Sequence, residues 1–389
     1  MYFRVFNKIF FNHKTSNINP TLDLVVYTLA VNSNNPELEE ARNLNIPILS
    51  YPEILGVLSS DKYTIAISGT HGKTTTTAMV GHILKKAEFD PTIIVGSKML
   101  SDSEKDGSNF LAGKSKYLVV EACEYKRSFL NLRPQILVIT NVEADHFDYY
   151  KDIDDIKAAF REIANKVPKD GFIIANLNDE NTKTSIEGLG TKVLDYSQVS
   201  LDVKLLVPGK HNILDAQTAI KVAEALGIPK EKAEEALKDF RGTWRRLEYK
   251  SKENAKEDGN VYYDDYAHHP TEIRASLSAL RERYPDKTLV CVFEAHQQSR
   301  TRFLFDDFVE SLKIADQVFV TPVFITREID DGKTTNKLLA SAVNQYTPAS
   351  PVENQEELKT LLKKINSSKP LCIVFMGAGN IYKWVDSFL

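Results

Sequence analysis

The sequence predicts an α/β protein built on parallel sheets, and three observations carry the prediction. Short apolar runs alternate with helical stretches from about residue 61 to 247, and the alternation begins again at about 248. A glycine loop, Gly69-Thr70-His71-Gly72-Lys73-Thr74-Thr75, stands between an apolar run and a helical stretch, the order of a phosphate cradle. The 389 residues, 42% hydrophobic and 26% charged, are too many for one ordinary core and suit a globular chain of two or three domains.

The elements follow in order. In residues 1–60, Leu24 to Thr28 reads as a buried strand, Asn35 caps a short helix that Pro36 opens, and Ile46 to Ser50 is a second strand. Strands are expected next over 63–68, 116–122, 135–142 and 171–176, with a helix from Asp154 to Val167. A helical region from 212 to 240 breaks at Gly227-Ile228-Pro229, where Pro229 can open a new helix. Residues 251–260 are polar and charged and read as a turn or linker. Strands return at 261–266, 287–294, 317–323 and 370–376, with helices starting near Pro270, Arg302, Thr334 and Gln355. Ile273, Leu277 and Leu280 recur at helical spacing and give the first of these helices a core-facing stripe. The expected domains are therefore 1–60, 61–247 and 248–389.

Composition narrows the function. A net charge of −4 gives no reason to expect nucleic acid as a partner. No apolar run reaches the roughly 20 residues of a membrane helix, and charge interrupts the aromatic start too early for a signal peptide. Cys123, Cys291 and Cys372 are far apart and lack metal spacing, so they read as reduced thiols of a cytoplasmic protein.

In open parallel sheets, ligands bind beyond the carboxyl ends of the strands. At the first strand of the central unit, Gly69 and Gly72 let backbone amides approach phosphate, and Lys73 supplies positive charge. Thr74 is placed to put its hydroxyl on a magnesium ion. Glu121 and His146 stand at or just beyond the ends of the strands expected at 116–122 and 135–142, and converge on this loop if those strands flank it. Farther on, His211-Asn212 opens a helix and can grip a base by its side chains, although a plain cap explains the same residues. Arg245-Arg246 lies at the expected boundary and can reach phosphates on closure, or can be a solvated basic surface. Asp265, His268 and His269 close the first strand of the last unit. Neighbours in extended chain point to opposite faces, so His268 and His269 are not expected to ligate one metal together. His296, Arg300 and Arg302 sit at the same level and suit an anionic substrate group.

Six stretches now line up: 69–75, 140–146, 209–212, 245–248, 265–272 and 376–379. In this order they closely resemble the Mur ligases, from about residue 8 to the C-terminus, and Ser299-Arg300-Thr301-Arg302 points to the alanine-adding branch. The resemblance implies a three-domain architecture: a Rossmann-like UDP-sugar domain, a central P-loop ATPase domain and a C-terminal Rossmann-like domain that admits the amino acid. It implies ATP and Mg2+ as cofactors, with UDP-N-acetylmuramate and L-alanine as substrates joined through an acyl phosphate. Lys73, Glu121 and His146 match catalytic residues; Thr74 and Glu121 match the ligands of one magnesium and His146 that of a second. Gly69 to Thr75, His211, Asn212, Arg245 and Asp265 match the ATP site, and His268, His296, Arg300 and Arg302 the substrate side. The expected state is a cytoplasmic monomer or weak homodimer with no membrane or nucleic-acid partner.

The sequence departs from the family pattern in places. Cys123-Glu124-Tyr125 stands for the usual Asp-Glu-Ser, Asp215 for an asparagine near the adenine, and Gln297 for an arginine. The family opens with a strand and a glycine-rich loop for the UDP pyrophosphate, and this sequence begins after them, so the first domain is expected to be truncated and to hold the UDP-sugar weakly. The region between Thr182 and Leu205 is also short, and a hairpin or helix there is expected to be reduced. A tripeptide-recycling ligase and a non-catalytic nucleotide-binding relative are the rival readings. Retention of Lys73, Glu121 and His146 argues against a pure binder.

Overall fold

Runs such as Ile136-Leu137-Val138-Ile139, buried at every position, are too short for helices and apolar on both faces. Such runs form strands covered by helices on both sides of a parallel sheet. The computed structural model describes residues 8–101, 104–146, 149–251, 259–326, 328–365 and 368–389. The chain begins with a small parallel pair, β1 (Val25–Tyr27) and β2 (Ile48–Ser50), joined through α1 (Pro36–Asn43) and followed by α2 (Tyr51–Ser60). Asn35 caps α1 as expected, its side chain accepting from the Glu37 amide at 2.9 Å. Gly56, the one glycine before residue 60, lies inside α2, where a Cβ would meet the Asn131 carbonyl at 2.7 Å. It permits close packing of α2.

The central unit runs β3 (Tyr63–Ser68), α3 (Lys73–Lys86), β4 (Thr92–Ser101), β5 (Glu104–Leu111), β6 (Tyr117–Glu121), β7 (Ile136–Ile139), α4 (Ile153–Ala164), β8 (Phe172–Ala175), α5 (Glu180–Ile186), β9 (Lys192–Asp195), α6 (Lys210–Ala225) and α7 (Lys230–Leu237). Its sheet has the order β5-β4-β6-β3-β7-β8-β9, parallel except for the β4–β5 hairpin. Helices α3, α6 and α7 bury Met79, Ile83, Ile220 and Leu237 on one face. On the other, Ile156, Phe160 and Ile163 of α4 pack with Phe129.

The last unit runs β10 (Glu248–Tyr249), β11 (Val261–Asp265), α8 (Pro270–Arg283), β12 (Thr288–His296), α9 (Gln298–Phe303), α10 (Phe305–Leu312), β13 (Gln317–Phe324), α11 (Asn336–Val343), β14 (Ala349–Pro351), α12 (Gln355–Leu362), β15 (Leu371–Met376) and α13 (Tyr382–Val385). The sheet order is β10-β11-β15-β12-β13-β14, with only β10 antiparallel. The stripe Ile273, Leu277 and Leu280 is fully buried against this sheet. Cys291 and Cys372 are buried on β12 and β15 and unpaired.

The helix expected from near Arg302 is two helices, α9 and α10, and Arg302 lies in the last turn of the first. Strand β9 lies in the stretch from 182 to 205, where the apolar pattern predicts no strand. The β4–β5 hairpin was also unforeseen, because its second strand, Glu104-Lys105-Asp106-Gly107-Ser108-Asn109-Phe110-Leu111, carries little apolar signal.

Candidate active site

Strands β6 and β7 both pair with β3, so the carboxyl ends of all three meet at one place. The loop after β3 turns sharply there. Gly69 has φ +134 and Gly72 φ +81, and a Cβ on Gly69 would collide with Thr140 while one on Gly72 would meet Asp215 Oδ1 at 2.5 Å. Only glycine fits both constraints. The His71 amide donates to Asn141 Oδ1 at 2.9 Å, which ties the loop to the end of β7.

Lys73 opens α3 and points back over the loop. Its Nζ donates to the carbonyls of Gly69 (2.6 Å) and Thr70 (2.9 Å) and to Glu124 (3.0 Å). Burial opposes the ammonium charge, but Glu124 holds the Lys73 pKa above its ordinary value. Glu124 is itself buried and also lies 3.4 Å from His146 Nε2. Thr74 Oγ1 donates to Glu121 Oε1 at 3.1 Å, and the other Glu121 oxygen accepts from the Gly96 amide at 2.7 Å. The hydroxyl and carboxylate, hard oxygen donors side by side, fit magnesium. His146 lies with Glu124 and Lys73 rather than with Glu121. Glu121 is thus bonded to Thr74 and the Gly96 amide, and His146 pairs with Glu124.

Two cavities open from this loop toward the last unit. One, about 270 Å³, is lined by His71, Thr75, His211, Asn212 and Asp215 from the central unit and by Asp265, Glu272 and Ser276 from across the cleft. Burial pushes His211 down to about 4, so it is neutral at neutral pH. Asn212 donates to the Pro208 carbonyl at 2.6 Å and sits 3.1 Å from His211 Nε2, so its amide fixes the helix start as well as facing the cavity. Asp265 accepts a hydrogen bond from Ser276, and burial raises it to about 6. The second cavity, about 280 Å³, is lined by Lys73, Glu124, His146, His268, His296 and Arg300. Burial holds His268 at about 4 despite nearby Glu272, and its Nδ1 lies 3.0 Å from the Tyr266 carbonyl. A proton on Nδ1 satisfies that carbonyl and leaves Nε2 able to accept one. A third cavity, about 200 Å³, lies between Tyr51 and Pro52 of the first unit and Glu121, Cys123 and Tyr125 of the central one. Cys123 lines both this cavity and the second, so the two are neighbours.

Ion pairs close the cleft. Arg300 donates to Asp145 at 2.7 Å, and although burial works against ionisation, the guanidinium holds Asp145 far below the usual carboxylate range. His71 is within 3.1 Å of Glu272 and 3.4 Å of Glu143. Burial disfavours its charge, yet the two carboxylates raise it to about 10.

Two predicted residues stand away from these cavities. Arg245 is buried, pairs with Asp264 at 3.3 Å and donates to the carbonyls of Gly377 and Gly379. It organises the last unit, and Arg246 is the arginine that lines both the first and the second cavity, 4.9 Å above the Tyr266 ring. Arg245 and Leu247 have φ +59 and +45, so the chain is not extended here and alternation could not tell the two arginines apart. Arg302 is half exposed and pairs with Asp331 at 2.9 Å. Glu272, which lines both the first and the second cavity, was missed as well. It follows His269 by three residues, a spacing that marks a helix cap, and the cap is indeed present.

Asp215 accepts from Thr76 Oγ1 at 3.0 Å, and burial raises it to about 7. The unfolded chain therefore loses this proton near the ordinary value of 3.8, and the folded chain holds it to about 7. Raising the pH across that window favours unfolding. Asp215→Asn is accordingly expected to stabilise the chain more at high than at low pH, the gain growing between about 4 and about 7 and then levelling. Urea melts of both proteins across this range check it, and a gain independent of pH would overturn it.

Residues 67–201 match the Mur ligase middle domain, residues 245–379 the Mur ligase glutamate ligase domain, and residues 7–63 the catalytic domain of the Mur ligase family. The UDP-N-acetylmuramate–L-alanine ligase of Clostridium tetani is 41% identical, over 98% of this chain and 88% of its own. The crystal structure of UDP-N-acetylmuramate–alanine ligase from Thermotoga maritima superposes with a TM-score of 0.77 at 30% identity, covering 97% of this chain and 86% of that one. A murein peptide ligase from Psychrobacter arcticus shares the fold, with a TM-score of 0.68 at 21% identity over 97% of this chain and 87% of its own. With its phosphate loop, its two facing α/β units and identity at this level along nearly the whole chain, the protein belongs to the Mur ligase family.

Proposed function

We propose that this enzyme joins L-alanine to UDP-N-acetylmuramate at the expense of ATP, as a cytoplasmic step of cell-wall precursor synthesis. The observation that carries this reading is the phosphate loop seated on a cleft whose far wall presents His268, His296 and Arg300. ATP fits the first cavity, with its adenosine toward His211, Asn212 and Asp265 and its phosphates on the loop. The sugar carboxylate attacks the γ-phosphorus, ADP leaves, and an acyl phosphate forms. The alanine amine then attacks the acyl carbon, phosphate departs, and the nitrogen loses a proton. Lys73 and the loop amides neutralise charge on the transferred group. Thr74 and Glu121 would hold one Mg2+ and His146 a second; the ions would draw charge from the phosphate oxygens. His268, neutral and with Nε2 available, is suited to take the proton of the amine. We assign residues 1–60, 61–247 and 248–389 to the three domains, each of which contains one sheet or the start of one.

The test is to supply the purified chain with ATP, Mg2+, UDP-N-acetylmuramate and L-alanine and to follow phosphate release and product mass. Phosphate release that needs both substrates, and a product heavier by one alanyl residue, are expected. Faster reaction with a tripeptide than with alanine would favour the recycling activity. ATP binding without turnover on either amine would leave only a binding protein.

A further inference from the structure

We propose that His71 Nε2, His269 Nε2 and a Glu143 carboxylate oxygen form a binding site for a zinc-class divalent ion that bridges the central and last domains. Ligand atoms of these three residues all lie within 4.8 Å of one another. The two rings lie with centroids 4.8 Å apart and are tilted by 42°. Both Nε2 atoms are buried; among the described residues His269 Nε2 has no hydrogen-bond partner, and His71 Nε2 has only the long 3.4 Å contact to Glu143. A buried polar atom without a partner is costly, and here one converges with a second, poorly satisfied imidazole nitrogen beside a carboxylate.

The outer contacts suit ligation too. Glu272 lies 3.1 Å from His71 Nδ1 and accepts from the His268 and His269 amides at 3.0 and 3.3 Å. A carboxylate held in this way orients an imidazole and fixes the proton on Nδ1, leaving Nε2 for a metal. Thr271 Oγ1 donates to Glu143 at 2.9 Å and steadies the third ligand. Two imidazoles and one carboxylate, with a fourth position for water, are a donor set for zinc rather than for magnesium. The site shares no residue with Thr74, Glu121 and His146. Binding displaces the Nε2 proton of His71. It also moves the His269 proton to Nδ1, ending the 3.3 Å bond that this atom accepts from the Thr271 amide. Because His71 lies on the phosphate loop and His269 caps α8, the ion would fasten the loop to the opposite domain.

The experiment titrates Zn2+ into the chelator-stripped full chain without ATP, and Co2+ in parallel for its absorption spectrum. One Zn2+ per chain is expected, undisplaced by excess Mg2+, with a tetrahedral Co2+ spectrum lacking a thiolate band. His269→Asn keeps a helix-capping side chain and removes the ligand. It is expected to weaken Zn2+ by about 30-fold or more, and Glu143→Gln by about 10-fold or more. Melting without metal confirms that each variant is folded. Two results would overturn the site: no stoichiometric binding, or affinity unchanged in both variants. Loss of binding in His146→Ala, with both of these variants unaffected, would move the ion to the catalytic magnesium position and overturn it equally.

Discussion

Lys73→Ala is expected to lower phosphate release from ATP by about 10²–10³-fold with every substrate saturating. The ammonium lies over the loop, anchored by the Gly69 and Thr70 carbonyls at 2.6 and 2.9 Å. It is therefore positioned before any ligand arrives, and little ordering is left to do in the transition state. Glu124, buried and 3.0 Å away, complicates the variant. Removing the lysine strands a buried carboxylate, which can cost ~3–5 kcal/mol of stability. The double variant Lys73→Ala/Glu124→Gln removes both charges and separates the two effects. Its stability is expected to recover while phosphate release stays low. Near-normal turnover in a folded Lys73→Ala protein would remove the lysine from the reaction.

Glu121→Gln is expected to raise the Mg2+ concentration needed for half-maximal rate by about 10–100-fold. The Thr74 hydroxyl and the Glu121 carboxylate meet at 3.1 Å, and the Gly96 amide holds the second carboxylate oxygen. The glutamine keeps the shape and loses the charge that a hard cation needs. His146→Ala is expected to shift the same curve less, because an imidazole suits magnesium poorly and this one sits on the Glu124 side of Lys73. Rates measured against free Mg2+ at saturating ATP decide it. Unchanged curves in both variants would place the metals elsewhere.

The central strands, the phosphate loop and the helix stripe at Ile273, Leu277 and Leu280 were legible from local sequence. Burial on both faces needs continuous apolar runs, and a tight turn over phosphate needs glycine at set positions, so these features are written where they occur. The position of Glu121 at a strand end was readable for the same reason. The β4–β5 hairpin was not, since Glu104 to Leu111 pairs by backbone hydrogen bonds that leave little trace in side-chain pattern. Which of Arg245 and Arg246 faces the cleft was also hidden, because left-handed backbone at Arg245 and Leu247 breaks the alternation that extended chain would supply.

By itself the sequence determined the family, the parallel-sheet architecture, and the position of contiguous motifs such as 69–75 and 265–272. Only the tertiary structure decided what crosses the cleft. Arg300 meets Asp145, 155 positions away in sequence, and His71 meets Glu272, 201 positions away. The sharing of Lys73 with Glu124, the neutral His268 and the gathering of His71, Glu143 and His269 likewise depend on separate segments being packed together. Local pattern records which face of an element is buried. It does not record which distant charge that face will meet, and burial beside that charge is what sets protonation and metal affinity.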